Sequence, residues 1–341
     1  MWIFKLLSVT ILGVAYGSQG NQQYAGHLES WKRRDLEQKV LALLQATDPV
    51  DEIKRAVKFI VEHMPPKDFH DPVVTALYVV KNIQLAFEAK KRFQDRWTGE
   101  NLPELLFFND VLPYAVMREP RTHWRSTLQP FMVNVVQDCK NAKCAVLALN
   151  KLAWSIVDPA IIFVAAPPNM LNGYSVAEVM EHHNASCTGL TIFLVSALRS
   201  VGIPARAAGV PHWHKGPKVC PDGDSSPECG NHNWVEVFAD GAWYFVDQRG
   251  VLNELNKGWF FPDPVSKQYH SNTSLNHSVF ATSWAPSHTL VSEYYYKNFT
   301  ATARFPMVWD WDTHVNGWET VAWYNNLTRS STESGNLAEV K

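Results

Sequence analysis

Cys187, His232 and Asp247 are the residues whose types and order suit them to chemistry. The cysteine opens the run Cys187-Thr-Gly-Leu-Thr-Ile-Phe-Leu-Val-Ser-Ala-Leu-Arg. Leu190, Leu194, Ala197, Leu198 and Val201 share one face at helical spacing, and Gly202 followed by Pro204 stops the helix. A thiol at a helix N-terminus feels the positive end of the dipole, which favours the nucleophilic thiolate. Position alone is a weak signal, because a free cysteine is commonly a small core hydrophobe. The second piece is Gly230-Asn-His232-Asn-Trp234-Val-Glu-Val-Phe238-Ala-Asp240-Gly241-Ala-Trp243-Tyr-Phe-Val-Asp247. Asp-Gly between alternating apolar runs predicts a hairpin with its two-residue turn at 240–241. Residue 239 then pairs with 242, 238 with 243 and 234 with 247. His232, Trp234 and Asp247 fall on one face, and Asp247 is the diagonal neighbour of His232, within side-chain reach. A turn displaced by one residue undoes this. An acid beside an imidazole fixes its tautomer, and an imidazole beside a thiol takes its proton. Together they form the thiol version of a nucleophile–base–orienter triad. The competing reading is a core histidine with one hydrogen bond and a surface aspartate.

The cysteine count bears on the same point. Five cysteines leave one over after two disulfides. Cys139 and Cys144 are close neighbours, as are Cys220 and Cys229 around a polar loop, so local pairs 139–144 and 220–229 are expected, although spacing does not prove connectivity. Cys187 then stays free. Disulfides imply an oxidising compartment. Residues 1–17 read as a signal peptide, with an early lysine, a short apolar stretch and small residues near Ala15 and Gly17; an anchored or buried helix is the alternative. No later segment is apolar enough over about 20 residues to span a bilayer, so stable membrane insertion is not expected. N-x-S/T sequons at Asn272, Asn276, Asn298 and Asn326 point to a glycosylated surface. A fifth, Asn184, stands three residues before Cys187 and is expected to be unused or peripheral. His212, His214, Cys220, Cys229 and His232 form a possible zinc set, but their spacing matches no tight C-x-x-C pair and oxidation favours the disulfide. No metal and no cofactor are assigned.

Around these residues the chain must supply positioning elements. It has 341 residues, a net charge of −2 and 46% hydrophobic residues, including 14 tryptophans. Near-neutrality removes the electrostatic case for nucleic acid, and the apolar content excludes wholesale disorder. Residues 18–100 read as a helical region: Leu36, Val40, Leu43 and Leu44 form one stripe, Ile53, Val57, Ile60 and Met64 a second, and Val73, Leu77, Val80, Ile83 and Phe87 a third. Asp48-Pro49 and Asp71-Pro72 are read as starts of the second and third helices. Helices are expected near 126–137 and 142–155. From 258 to 341 the chain reads as short strands and loops.

The segments S-C-T-G-L, L-R-S-V-G-I-P-A-R, G-N-H-N-W-V-E-V-F and W-Y-F-V-D-Q, taken together, resemble the core of the transglutaminase-like superfamily. The resemblance implies an α+β, papain-like fold in which a helix bearing the cysteine packs on an antiparallel sheet. The core is expected over 101–257, after the N-terminal helical region. It casts Cys187 as nucleophile, His232 as base and Asp247 as orienter. F-N-D-V-L-P-Y at 108–114, E-P-R-T-H-W-R at 119–125, S-V-F-A-T-S-W at 278–284 and F-P-M-V-W at 305–309 look like flanking blocks of a secreted bacterial branch. The 220–229 loop looks like an insertion before the histidine strand.

The implied activity is secreted acyl transfer: Cys187 attacks a carboxamide or peptide carbonyl, His232 protonates the departing amine, and an amine or water resolves the thioester. The backbone N–H of Cys187 is the expected oxyanion donor. Trp124, Trp213 and Trp234 are candidate cleft walls, against core packing as the competing role for each. Crosslinking, deamidation and hydrolysis all fit this chemistry. The expected partner is a protein or peptide substrate, with extracellular matrix proteins among the candidates. The alternatives are a papain-like cysteine peptidase and a non-catalytic glycosylated matrix protein that retains the fold.

Overall fold

The computed structural model describes residues 29–44, 51–99, 102–168, 174–214, 230–250, 252–271, 274–290, 301–302, 304–307 and 315–338. The chain divides into two compact units, Met1–Val80 and Lys81–Lys341. The signal-peptide segment, Cys220, Cys229, Asn272 and Asn298 lie outside the described residues.

The first unit contains helix α1 over 29–44, α2 (Asp51–Glu62), a 3-10 turn at Pro66–His70 and the start of α3 (Ala76–Arg92). Val40 and Leu44 of α1 and Val57 and Ile60 of α2 are buried, as their spacing predicts. Leu43 and Leu77 are 48% and 67% exposed and leave their stripes. The third helix also starts later than Asp71-Pro72 suggests. The Asp71 carboxylate accepts from the Val73 N–H at 2.9 Å, closing a local turn, and Thr75 Oγ1 accepts from the Tyr78 N–H at 3.2 Å as the actual cap.

The second unit holds the rest of α3 and then α4 (Glu104–Leu106), which runs into a π turn at Phe107–Val111. Then come α5 (Trp124–Val135) and α6 (Ala142–Leu152), the latter continued by a 3-10 turn at Ala153–Ser155. These match the helices expected near 126–137 and 142–155. Asn141 caps α6 by accepting from the Cys144 N–H at 2.9 Å, and Cys139 is disulfide-bonded to Cys144 as expected. A short parallel pair, β1 (Ile162–Phe163) and β2 (Asn184–Ala185), flanks α7 (Val176–His182) and leads directly into α8 (Cys187–Ser200).

The main sheet uses β3 (Ala205–Val210), β4 (His232–Ala239), β5 (Ala242–Val246), β6 (Phe280–Ser283), β7 (Ala301–Thr302) and β8 (Asn316–Glu319). The strand order is β5-β4-β3-β6-β8-β7, antiparallel throughout. Helix α8 is buried from Thr188 to Ser200, so it is covered on every side rather than along one stripe, polar Thr191, Ser196 and Arg199 included. Its Leu190, Phe193, Leu194 and Leu198 share a core with Ala205, Ala207, Val235 and Val237. Each such large side chain contributes roughly 1.5–3 kcal/mol. The opposite sheet face holds a second core of Ala208, Trp213, Trp234, Phe245, Phe260 and Tyr324.

Residues 258–341 supply short strands, as read from the sequence, and β6, β8 and β7 extend the sheet that β3, β4 and β5 begin. The same stretch also contains α9 (Val321–Ala338), an 18-residue helix that the sequence reading lacks. Its Asn-, Ser- and Thr-rich sequence has weak helix propensity; packing of Val321 and Tyr324 onto the second core outweighs that. The flanking blocks meet as well. Asn109 Oδ1 accepts from the backbone N–H groups of Trp284 and Ala285 at 3.1 and 3.0 Å, joining 108–114 to 278–284. Arg125 donates to the Val111 and Arg199 carbonyls, both at 2.7 Å, which ties both upstream blocks to the C-terminal end of α8.

Candidate active site

The hairpin places His232 and Asp247. Asp240 and Gly241 have φ of 48° and 87°, the two positive values a type I′ turn needs. The ladder pairs Ala239 with Ala242, Phe238 with Trp243 and Val235 with Val246, the register predicted from Asp-Gly. It brings His232 Nε2 to 3.0 Å from Asp247 Oδ1, with both residues buried.

The helix places the thiol. Cys187 is the first residue of α8 and partly exposed, and its thiol is near enough to His232 for each to shift the other's titration. Because Nε2 is engaged by Asp247, Nδ1 is the ring nitrogen left for the sulfur. Burial alone pushes the thiol up. The hydrogen bond and charge of His232, the backbone N–H of Asn233 and the Thr188 hydroxyl outweigh it and hold Cys187 below the ordinary thiol value. Burial likewise pushes His232 down, but Asp247 and Cys187 together raise it to about 9. The two shifts run in opposite directions, thiol down and imidazole up, which favours passing the sulfur's proton to the ring. Ser186 makes no side-chain cap hydrogen bond, so no side chain from that position covers the first N–H groups of α8.

Sequence reasoning missed several participants. Asn233 Nδ2 donates to Thr188 Oγ1 at 2.8 Å, so Thr188 can turn its own O–H toward the sulfur. Gly209, the ladder partner of Asn233, makes room for that side chain. A Cβ there would lie 2.3 Å from Asn233 Oδ1 and 2.8 Å from the His232 carbonyl oxygen. Gly209→Ala is expected to cost about 1–3 kcal/mol and to slow alkylation of Cys187; a urea melt and an iodoacetamide time course measure the two effects.

The cleft-wall candidates are corrected. Trp124 is 4% exposed and donates its indole N–H to the Tyr114 carbonyl, so it is a core residue of α5. Trp213 and Trp234 are 1% and 0% exposed, stacked with ring centroids 6.1 Å apart beneath the histidine. They support the site from behind. The exposed aromatic beside the imidazole is Trp259, at 57% exposure, with its ring 5.1 Å from His232 and 5.7 Å from Trp213. Its only sequence signal is the run Trp259-Phe260-Phe261-Pro262. Of the described sequon asparagines, Asn326 is exposed and Asn184 half-buried. Asn276 is 2% exposed, which leaves no room for a glycan, so it drops from the expected set.

Behind the site lies a buried polar chain. Arg206 Nε and Nη2 stand 2.9 and 2.8 Å from Glu236 Oε2, directly across the β3–β4 ladder. Tyr324 of α9 donates to Glu236 Oε1 at 2.9 Å and accepts from Trp234 Nε1 at 2.5 Å. Burial raises the Glu236 carboxyl above its usual range, against the lowering pull of Arg206 and Tyr324.

Residues 131–248 match the model of the transglutaminase-like superfamily, and that span contains Cys187, His232 and Asp247. The chain thus carries a transglutaminase-like fold there: a cysteine-bearing helix on an antiparallel sheet, with helices ahead of it. A similar solved structure is a protein from Cytophaga hutchinsonii described as a "Putative Cysteine Protease". It is 12% identical, over 57% of this chain and 58% of that one, with a TM-score of 0.28. The chain spans less than two thirds of that protein, and a likeness so distant carries no functional argument. No curated protein matches the sequence.

Proposed function

We propose that the protein is a secreted cysteine-dependent acyl-transfer enzyme acting on protein amide or peptide carbonyls. One observation carries this reading: a partly exposed thiol at a helix start contacts an imidazole whose other nitrogen is held 3.0 Å from a buried carboxylate. The Cys187 thiolate attacks the carbonyl carbon, and N–H groups at the start of α8 receive the oxyanion. The C–N bond breaks as the His232 imidazolium passes its proton to the leaving amine. Neutral His232 then takes a proton from an incoming amine or water, which attacks the thioester and regenerates the thiolate.

The test is incubation with casein and a labelled primary amine, in parallel with the Cys187→Ala protein. Amine incorporation identifies transfer, new peptide termini identify a peptidase, and ammonia release without incorporation identifies deamidation. If none of the three occurs and Cys187 resists a thiol probe in the folded protein, the enzyme reading falls and a non-catalytic matrix role takes its place.

A further inference from the structure

Gln248 follows the orienter directly and is used by none of the steps above. It is 7% exposed. Its Nε2 donates to the Cys187 carbonyl at 3.1 Å and to the Asn233 carbonyl at 2.8 Å. Two carbonyl acceptors on one side dictate the amide's orientation, because its oxygen would repel both. Asp247 and Gln248 thus act on both halves of the site. The carboxylate holds the imidazole ring, and the carboxamide holds the backbone of the nucleophile and of the residue after the base. A further polar tie between these elements is the Asn233–Thr188 bond at 2.8 Å.

We propose that Gln248 is a positioning residue of this site, its single carboxamide fixing the start of α8 against β4 so that Cys187 and His232 stay in contact. The inference rests on the catalytic reading above. A displacement of about 1 Å between reacting groups costs on the order of 100-fold in rate, so a clamp on both backbones acts on the chemistry without touching the substrate.

Gln248→Met keeps the length of the side chain and removes both donors. The control is Gln129→Met. Gln129 is buried to the same extent and also bridges two carbonyls, Leu85 at 3.0 Å and Ser200 at 3.2 Å, away from the thiol. Both variants are expected to lower the urea midpoint. Only Gln248→Met is expected to move the pH midpoint of iodoacetamide labelling at Cys187 upward, by about one unit, the scale of a lost hydrogen bond near a charged group. Gln248→Asn retains the amide but is too short to span both carbonyls, and it gives the same shift if the methionine variant does not fold. A depressed midpoint in the unmodified protein that survives both Gln248 substitutions overturns the positioning role alone. An ordinary thiol midpoint in the unmodified protein overturns the catalytic reading, and this inference with it.

Discussion

His232→Gln is expected to lower kcat/KM for amide substrates by about 10²- to 10⁴-fold, the usual share of a positioned general acid and base, while the protein still folds. The same change is expected to return the Cys187 labelling midpoint to or above the ordinary thiol value, because the burial that pushes the thiol up remains while the imidazolium and its hydrogen bond are gone. In the unmodified protein the activity profile is expected to be bell-shaped. Its acid limb lies below the ordinary thiol value, where Cys187 gains a proton, and its alkaline limb lies near 9, where His232 loses one. Stability behaves differently. Above 6.5 the folded His232 keeps a proton that the unfolded chain has lost, so its contribution declines as pH rises toward 9. The folded Cys187 loses its proton at lower pH than the unfolded chain does, so its contribution grows as pH rises toward the ordinary thiol value. The two slopes oppose each other. A urea midpoint that varies less across this window than either group alone would impose is the expected result.

Arg206→Met is expected to destabilise the protein by about 3–5 kcal/mol, the typical cost of stripping one partner from a buried ion pair. Against a total stability of roughly 5–15 kcal/mol, that is enough to unfold a marginal protein at 37 °C. The guanidinium lies across the ladder from Glu236 and 4.1 Å over the Trp243 ring, so both a charge partner and a packing layer are lost. Arg206 also pulls the raised Glu236 carboxyl downward; without it the carboxyl rises further. The variant is therefore expected to recover part of its deficit at acid pH, where Glu236 takes up a proton and sheds its unpaired charge. Urea melts of both proteins at pH 5 and pH 7 measure this. An equal deficit at the two values would show that packing, not charge, is what Arg206 supplies.

The approach of His232 to Asp247 was legible in the sequence because it follows from local rules. An Asp-Gly turn has few acceptable backbone conformations, so it fixes the register, and register fixes which side chains meet. The Cys187 helix was legible for a similar reason, its stop at Gly202 being local. What escaped depends on partners distant in the chain. Alternation placed Trp234 on the face of His232, but it could not show that Phe260 and Tyr324 cover that face. Helix α9 is held by the sheet it covers rather than by its own composition. Thr188, Asn233 and Gln248 matter because a helix and two strand ends converge, and such polar residues carry no periodic signal.

The same hairpin has a consequence for the order of folding. Asp247 is 15 residues from His232, whereas Thr188 is 45 from Asn233. A short loop closes at lower entropic cost than a long one, and hairpins form in microseconds. The imidazole and its carboxylate can find each other within one local segment, and the cysteine helix must then dock onto that finished half. The clamp from Gln248 cannot engage until it does. The thiol thus keeps its ordinary, less reactive character through the early stages. It acquires its activated state only as the last long-range contacts close.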